Sequence, residues 1–296
     1  MVKPVLSHYS PTLANKAWAH DGEYISYSYH PYKRSVEKSL KGWKEWGRMR
    51  KIYSQAVEDS LNHDLENHAA PIYEKILAFG ELSAHERLIW TQFLLSQLVR
   101  TPTFMRYEKA VRSIFGVTET PRHDRVGCPE CLDLKFVANR NWCLVIAHDG
   151  DFFVRTDNPV FQSGFIERPE TCVIYPMSPK VCFVACSMPP EWDAYSSMPS
   201  ETRGFALNKG GAHLINFHLA RSADESLIIN PNHDGNIAES MYGDMLGLYP
   251  QPPFALHRLQ SGSIDEDAYE SIRMIMSKVD GCAYPKWDPS EIEPFY

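Results

Sequence analysis

Trp142-Cys-Leu-Val-Ile-Ala147 is an unbroken apolar run, closed by the turn signal His148-Asp-Gly-Asp151 and followed by Phe152-Phe-Val-Arg-Thr156. Two short apolar segments joined across Asp-Gly predict a β-hairpin. Further strands are expected at Thr171 to Tyr175 and at Lys180 to Ser187, separated by Pro176-Met-Ser-Pro179, and at Ser226 to Ile229. Upstream the pattern is different. Glu58 to Phe79 carries Leu61, Leu65, Ile72, Ile76 and Leu77 near a 3.6-residue period, with Pro71 expected to kink the helix or open a second one. Ser83-Ala-His-Glu86 is a capping box, in which hydroxyl and carboxylate satisfy opposite orphan amides. The helix it opens runs to Arg100 and is apolar around more than half its circumference, so it is central. Thr101-Pro102 then breaks it and starts the next helix, to about Phe115.

Helices come first and strands after them, which is an α+β order and not the alternation of a doubly wound sheet. The expected fold is a helical N-terminal half packed on a small, mainly antiparallel sheet, with C-terminal helices. One domain is expected over 1–296: a helical part at about 34–116, a sheet part at about 136–230, and a helical tail at about 261–296. Gly204 to Ala220 reads as a helix, Asn230 to Pro253 as turn-rich, and Asp265 to Val279 as a last helix.

Composition narrows the classes. With 296 residues, 44% hydrophobic and 23% charged, the chain is neither disordered nor fibrous. Its longest uncharged apolar stretch, Leu88 to Val99, spans twelve residues, where a membrane helix needs about twenty. MVKPVLSHYSPTL lacks a continuous apolar leader core, so a cytoplasmic protein is expected. Seven cysteines, an odd number, argue against a disulfide framework. Cys143, Cys172, Cys182 and Cys186 lie among apolar residues and are expected to be buried. Cys128-Pro-Glu-Cys131 has the spacing of half a zinc site, which His123 and Cys143 would have to complete. It reads better as ordinary loop cysteines than as zinc or dithiol chemistry.

The net charge of −7 is a sum of opposites. Between Lys33 and Tyr53 eight basic residues face only Glu37 and Glu45, a net of +6 in a −13 background. Trp43, Trp46 and Tyr53 interleave with them, so nucleotide or nucleic acid could be held here, cations on phosphates and rings on bases. The plainer expectation is an amphipathic helix with Trp43 and Trp46 on one face and solvated lysines on the other. Residues 261–296 are acidic, eight carboxylates against Arg273, Lys278 and Lys286.

No HExxH, GxSxG, Walker loop or GxGxxG is present, which sets aside the enzymes those motifs mark. His63/His68 and His213/His218 are each five apart, a spacing that points helical side chains apart and disfavours chelation by either pair. Asp157-Asn158-Pro159 ends a strand, where the proline fixes Asn158 in an extended conformation. It either faces a cleft or makes an Asx-turn. Arg100 at its helix end needs a carboxylate partner, with Glu58, Asp64 and Glu66 the candidates.

With these residues in view, the chain resembles the bacterial domain-of-unknown-function family numbered 4238. The resemblance rests on His8-Tyr9-Ser10-Pro11 with Leu13 and Trp18 beyond it, on Glu58 and Glu66, and on Gln97-Leu-Val-Arg100-Thr101-Pro102. It continues through Thr156-Asp157-Asn158-Pro159 and Pro176-Met-Ser178-Pro179. Asn15 departs from it, standing where the family has an aliphatic residue.

The resemblance groups His8, Glu66, Arg100, Asp157 and Asn158 as candidate catalytic residues and implies no reaction. Tyr9, Lys44 and Arg48 are candidates for substrate binding. A histidine that exchanges a proton near neutrality, carboxylates that activate water or hold Mg²⁺ or Mn²⁺, and an arginine that clamps phosphate suit a hydrolase of phosphodiesters or nucleotides. The alternative is a non-catalytic binding or sensor module, in a bacterial stress or defence system, whose polar residues form a structural network. A transferase using a nucleotide cosubstrate is a third reading.

Overall fold

The computed structural model describes residues 6–50, 52, 54–116, 118, 134–163, 166, 171–186 and 203–248. Cys128, Cys131 and His123, the expected helix at 265–279 and the acidic segment 261–296 lie outside the described residues. In chain order the strands are β1 (Leu6–His8), β2 (Glu23–His30), β3 (Ser35–Gly42), β4 (Arg48–Arg50), β5 (Trp142–Ile146) and β6 (Arg155–Thr156). They continue as β7 (Phe161–Gln162), β8 (Val173–Pro176), β9 (Val181–Ala185), β10 (Arg203–Ala206) and β11 (Ser226–Ile229). The helices are α1 (Thr12–Asn15), α2 (Gln55–Ser60), α3 (Asn67–Leu77), α4 (Ala84–Val99), α5 (Pro102–Phe115), α6 (Lys135–Ala138), α7 (Gly211–Ser222) and α8 (Ile237–Leu248). A π-helical segment, Leu61–Glu66, joins α2 to α3. Among the described residues no helix is long and apolar enough to cross a membrane.

The fold is α+β. A five-stranded sheet runs β10-β5-β9-β8-β7 and a four-stranded sheet β3-β2-β11-β6; β1 and β4 form a separate pair. Among the described residues all strand pairings are antiparallel except β10 on β5. The unbroken apolar texture of β5 has a direct cause. Trp142 and Leu144 belong to the core shared with α3 and α4, whereas Cys143 and Val145 belong to the core shared with the four-stranded sheet and α7. Phe183 and Ala185 alternate in the same way with Cys182 and Val184. A sheet buried on both faces has no polar side to alternate with. The four internal cysteines are buried free thiols, as expected.

On the helical side Trp90 is the hub. Its ring lies 5.2 Å from Phe93, 5.8 Å from Phe183 and 6.0 Å from both Tyr73 and Tyr175. The capping box forms as its spacing predicts: Ser83 Oγ accepts from the Glu86 N–H, and Glu86 accepts from the Ser83 N–H. Pro71 lies inside α3 and opens no new helix; the backbone before it takes the wider π register.

Three local expectations are corrected, besides the start of the helix expected at Gly204: Arg203–Ala206 is strand β10, paired with β5, and α7 begins at Gly211. Residues 35–42 are strand β3, not part of an amphipathic helix, so the helical part begins at Gln55. Glu23–His30, a run in which Tyr24, Ile25, Ser26, Tyr27 and Tyr29 are all buried, supplies the partner that makes the strand the better state. The lysines remain on the sheet edge, a standard protection against unwanted pairing. Second, β5 does not form a hairpin with 152–156. Phe152 to Val154 pass between the layers, where the Asn216 side chain on α7 takes the place of a strand. Its Nδ2 donates to Phe152 O at 2.6 Å and its Oδ1 accepts from Val154 N at 3.0 Å. Arg155 and Thr156 then join β11 in the other sheet. Third, the 230–253 segment contains α8, whose Tyr242, Met245 and Leu246 complete the core beside α7. Its glycines masked the helix in the sequence, yet Gly243 is needed for close approach to Tyr27.

Candidate functional site

Successive side chains of an extended segment point to opposite faces, and His8-Tyr9-Ser10 sends three side chains into three environments. His8 is paired with Arg48 across the β1–β4 ladder. Arg48 Nε donates to His8 Nε2 at 3.0 Å. On the other side, Glu58 Oε1 on α2 accepts from the His8 backbone N–H at 3.2 Å and lies 3.4 Å from Nδ1. Because Nε2 accepts, Nδ1 must carry the proton and face the carboxylate. The imidazole is held in one orientation, with 27% of its side chain exposed. Glu58 is thus the partner of His8; Arg100 takes Glu66 instead.

Tyr9 turns inward, edge-on to Trp46 at 6.4 Å, and Trp46 Nε1 donates to Ser226 Oγ. Burial first, then the charge of Asp157, push the Tyr9 phenol far above its ordinary range. Asp157 is itself buried. It accepts the backbone N–H groups of Asp224, Glu225 and Ser226 at 2.7–2.8 Å and the Ser226 hydroxyl at 3.3 Å. Asn158 Nδ2 donates to Ser222 O at 2.8 Å. Both side chains tie β6 to the turn before β11 across 64 to 69 residues, which is not the local Asx-turn of the alternative reading.

Ser10 Oγ donates to Asn15 Oδ1 at 2.7 Å, and the two hold Arg155: Nε to Asn15 Oδ1 at 3.0 Å, Nη2 to Ser10 Oγ at 3.2 Å. The departure from the family pattern at Asn15 therefore contributes an acceptor to a buried guanidinium. Arg155 lies 5.0 Å from the Tyr175 ring and 5.6 Å from the Trp18 ring. On the helical side, Arg100 Nη1 donates to Glu66 Oε1 at 2.7 Å and Nη2 to Gln97 Oε1 at 3.1 Å. The expected Glu66–Arg100 pair is present, with Arg100 fully buried and 13% of the Glu66 side chain exposed.

The structure thus joins His8 to Arg48 and Glu66 to Arg100, and sets Tyr9 beside Asp157. Asp157 and Asn158 bond to the 222–226 turn, with no bond to His8 among the described contacts. Lys44 and Arg48 are exposed, Lys44 with its Nζ 5.0 Å from the Trp43 ring. Sequence reasoning missed Arg155 and Tyr175, which adjoin the Thr-Asp-Asn-Pro and Pro-Met-Ser-Pro motifs. Their signal was adjacency: a charged residue ending the Phe-Phe-Val run and a tyrosine ending a strand. A second constellation also escaped it. His213 Nε2 lies 3.3 Å from Asp151 Oδ1 and its Nδ1 2.6 Å from Tyr242 Oη, while Asp151 Oδ2 accepts from Gly210 N at the start of α7. Among the described residues no group of three or more His, Cys, Asp or Glu is placed to hold a metal ion.

Residues 8–119 match the family "Protein of unknown function (DUF4238)". The match covers the His-Tyr-Ser-Pro segment, Glu58, Glu66 and Gln97–Pro102; the Thr156–Pro159 and Pro176–Pro179 motifs lie beyond it. No curated protein and no solved structure matches the chain. Ser10 and Asn15, which lie in the matched segment, bond to Arg155 beyond it, so one buried polar contact joins the two parts of the chain.

Proposed function

We propose that the protein is a hydrolase of phosphodiester or nucleotide substrates in which His8 is the general base, Glu58 orients it and Arg48 holds the anionic group. The Arg48–His8–Glu58 relay carries this reading. Its imidazole presents an acceptor nitrogen toward an exposed cation. When Arg48 turns to a phosphate, Nε2 is released to take a proton from water, and Glu58 stabilises the imidazolium that forms. Lys33, Arg34, Lys41 and Lys44 on the neighbouring hairpin and turn add positive charge for a nucleotide or nucleic acid. Mg²⁺ or Mn²⁺ would share the phosphate charge. A cytoplasmic setting fits the four buried free thiols.

The test is nuclease and nucleotidase turnover with Mg²⁺ or Mn²⁺. His8→Ala is expected to lose about 10²–10⁴-fold with its thermal unfolding little changed, and Arg48→Ala to raise KM. Equal turnover in wild type and His8→Ala would overturn the reading.

A second reading, a non-catalytic sensor module in bacterial stress or defence, is favoured by Asp157 and Asn158. Their polar atoms are engaged by the 222–226 backbone, as in a structural lock. It predicts no turnover by the wild type and a marked loss of melting temperature in Asp157→Ala.

A further inference from the structure

The β2–β3 hairpin turns at Pro31-Tyr32-Lys33-Arg34. Tyr32 is fully exposed, more so than any other large apolar side chain described. Lys33 and Arg34 beside it are exposed as well. Arg34 closes the turn from the left-handed region, with φ at 49°, where glycine or asparagine is the usual choice. The tip therefore holds an aromatic ring and two cations out in water, and none of the three contributes to the core.

Behind the tip, β3 is the outer strand of its sheet among the described residues. Its cations divide by face, because cross-strand partners share one. Lys38, opposite Tyr27, lies on the α8 side, where Asp234 and Glu239 pair with it. Lys41, opposite Tyr24, lies on the other side. Trp43 continues that side by packing on Trp18, Tyr24 and Trp46. Glu37, the acid of the same face, lies 3.0 Å from His30 Nε2. Lys33, Arg34, Lys41 and Lys44 have no ion pair among the described residues. The turn after β3 then meets the His8 segment, since Gly47 O accepts from Tyr9 N at 2.8 Å and from Ser10 N at 3.3 Å. The eight residues of β3 span about 26 Å at about 3.3 Å each. Cations thus run from the tip to Arg48 over a length that one nucleotide does not cover.

We infer that the outer face of this hairpin is a track for single-stranded nucleic acid. Its phosphates follow Lys33, Arg34, Lys41 and Lys44 to Arg48, and a base stacks on Tyr32 at the far end. Unpaired bases offer a face to a lone ring, whereas those of a duplex are already stacked on each other. The inference rests on the phosphodiester reading above and narrows its substrate from nucleotides to polynucleotides; binding along the track does not need turnover.

Fluorescence anisotropy on the full chain tests it. The probes are an oligothymidylate octamer, an oligouridylate octamer, the dinucleotide of each, and a hairpin-closed DNA duplex of the octamer's length. Wild type is expected to bind an octamer about tenfold more tightly than its dinucleotide, and more tightly than the duplex. The log of its affinity should fall against the log of salt with a slope of about −3, as cations on single-strand phosphates require. Tyr32→Ala removes a ring that is fully exposed, so its melting temperature should match wild type while octamer affinity drops about tenfold. Lys33→Gln/Arg34→Asn, with asparagine chosen for the left-handed backbone, should flatten the salt slope by about 1.4. Binding of either octamer, or of both, supports the track and names the sugar it accepts. No octamer binding by wild type overturns it, as does equal affinity for octamer and dinucleotide, or for octamer and duplex. An unchanged octamer affinity in Tyr32→Ala or an unchanged slope in the double variant overturns it equally. Octamer binding without turnover refutes the hydrolase and leaves the track standing. Turnover with an affinity independent of length does the reverse.

Discussion

Asp157 lies against Asp224, accepting its backbone N–H at 2.8 Å while the Asp224 side chain pairs with Arg106. Burial, followed by the charge of Asp224, raises the Asp157 carboxyl from 3.8 to about 7, against the pull of three N–H donors. Between those values the folded chain binds more protons than the unfolded chain, so stability falls as pH rises through the window. Melting temperature is therefore expected to decline from pH 5.5 to pH 8 in this component. Asp157→Asn should flatten that slope. It should also lower the melting temperature throughout, because its amide turns a donor toward an N–H group. A slope as steep in the variant as in wild type would assign the pH dependence to another group.

The Glu66–Arg100 pair is coupled through one short bond, with Gln97 as the second acceptor. Removing only one member leaves a desolvated charge. Arg100→Leu is expected to cost about 3–5 kcal/mol. The double variant Glu66→Leu/Arg100→Leu should cost less than the two single changes added together, by about 1–3 kcal/mol. Urea denaturation of the four proteins in the cycle measures it. Additive losses would show that the pair is not coupled.

Asn216 replaces a strand for Phe152 and Val154. Asn216→Leu strips both backbone groups of their partner inside the core, and about 2–4 kcal/mol should be lost. The amide of Val154 should then exchange with solvent faster than those of β5. Unchanged protection at Val154 would contradict the assignment.

At Gly243 an added Cβ would stand 2.4 Å from Cδ1 of Tyr27 and 2.5 Å from Cε1. Gly243→Ala should therefore cost about 1–3 kcal/mol, although alanine favours an isolated helix. Stabilisation by this change would place α8 farther from β2.

Whatever depended on neighbours along the chain was legible. Ser83 and Glu86 announce a helix start because the box closes within one turn. Leu88 to Val99 and Trp142 to Ile146 read as buried elements because burial on several sides leaves no polar stripe to confuse them. The Glu66–Arg100 pair was narrowed to three carboxylates because a cation at the end of a buried helix requires one. The α+β class follows from the same local rules, although the strands between residues 6 and 50, which precede the main helices, did not.

Other features depended on partners distant in sequence. Ser35 to Gly42 has a helix-compatible pattern, and its lysines are exposed in either form; only pairing with Glu23–His30 makes it a strand. Phe152 to Val154 has the pattern of a hairpin arm, but Asn216, more than sixty residues away, takes its hydrogen bonds. Composition cannot say whether Asp157 faces a cleft or a turn, since that depends on where residues 224–226 return. Nor could it set Arg155 between Ser10, Asn15 and Tyr175, which three separate segments bring together. Local sequence determined which residues form helices and which must be buried, because hydrogen-bond closure and amphipathic period act within a few residues. Tertiary structure decided which strands pair and which charges meet, because those energies arise only when distant segments exclude water between them.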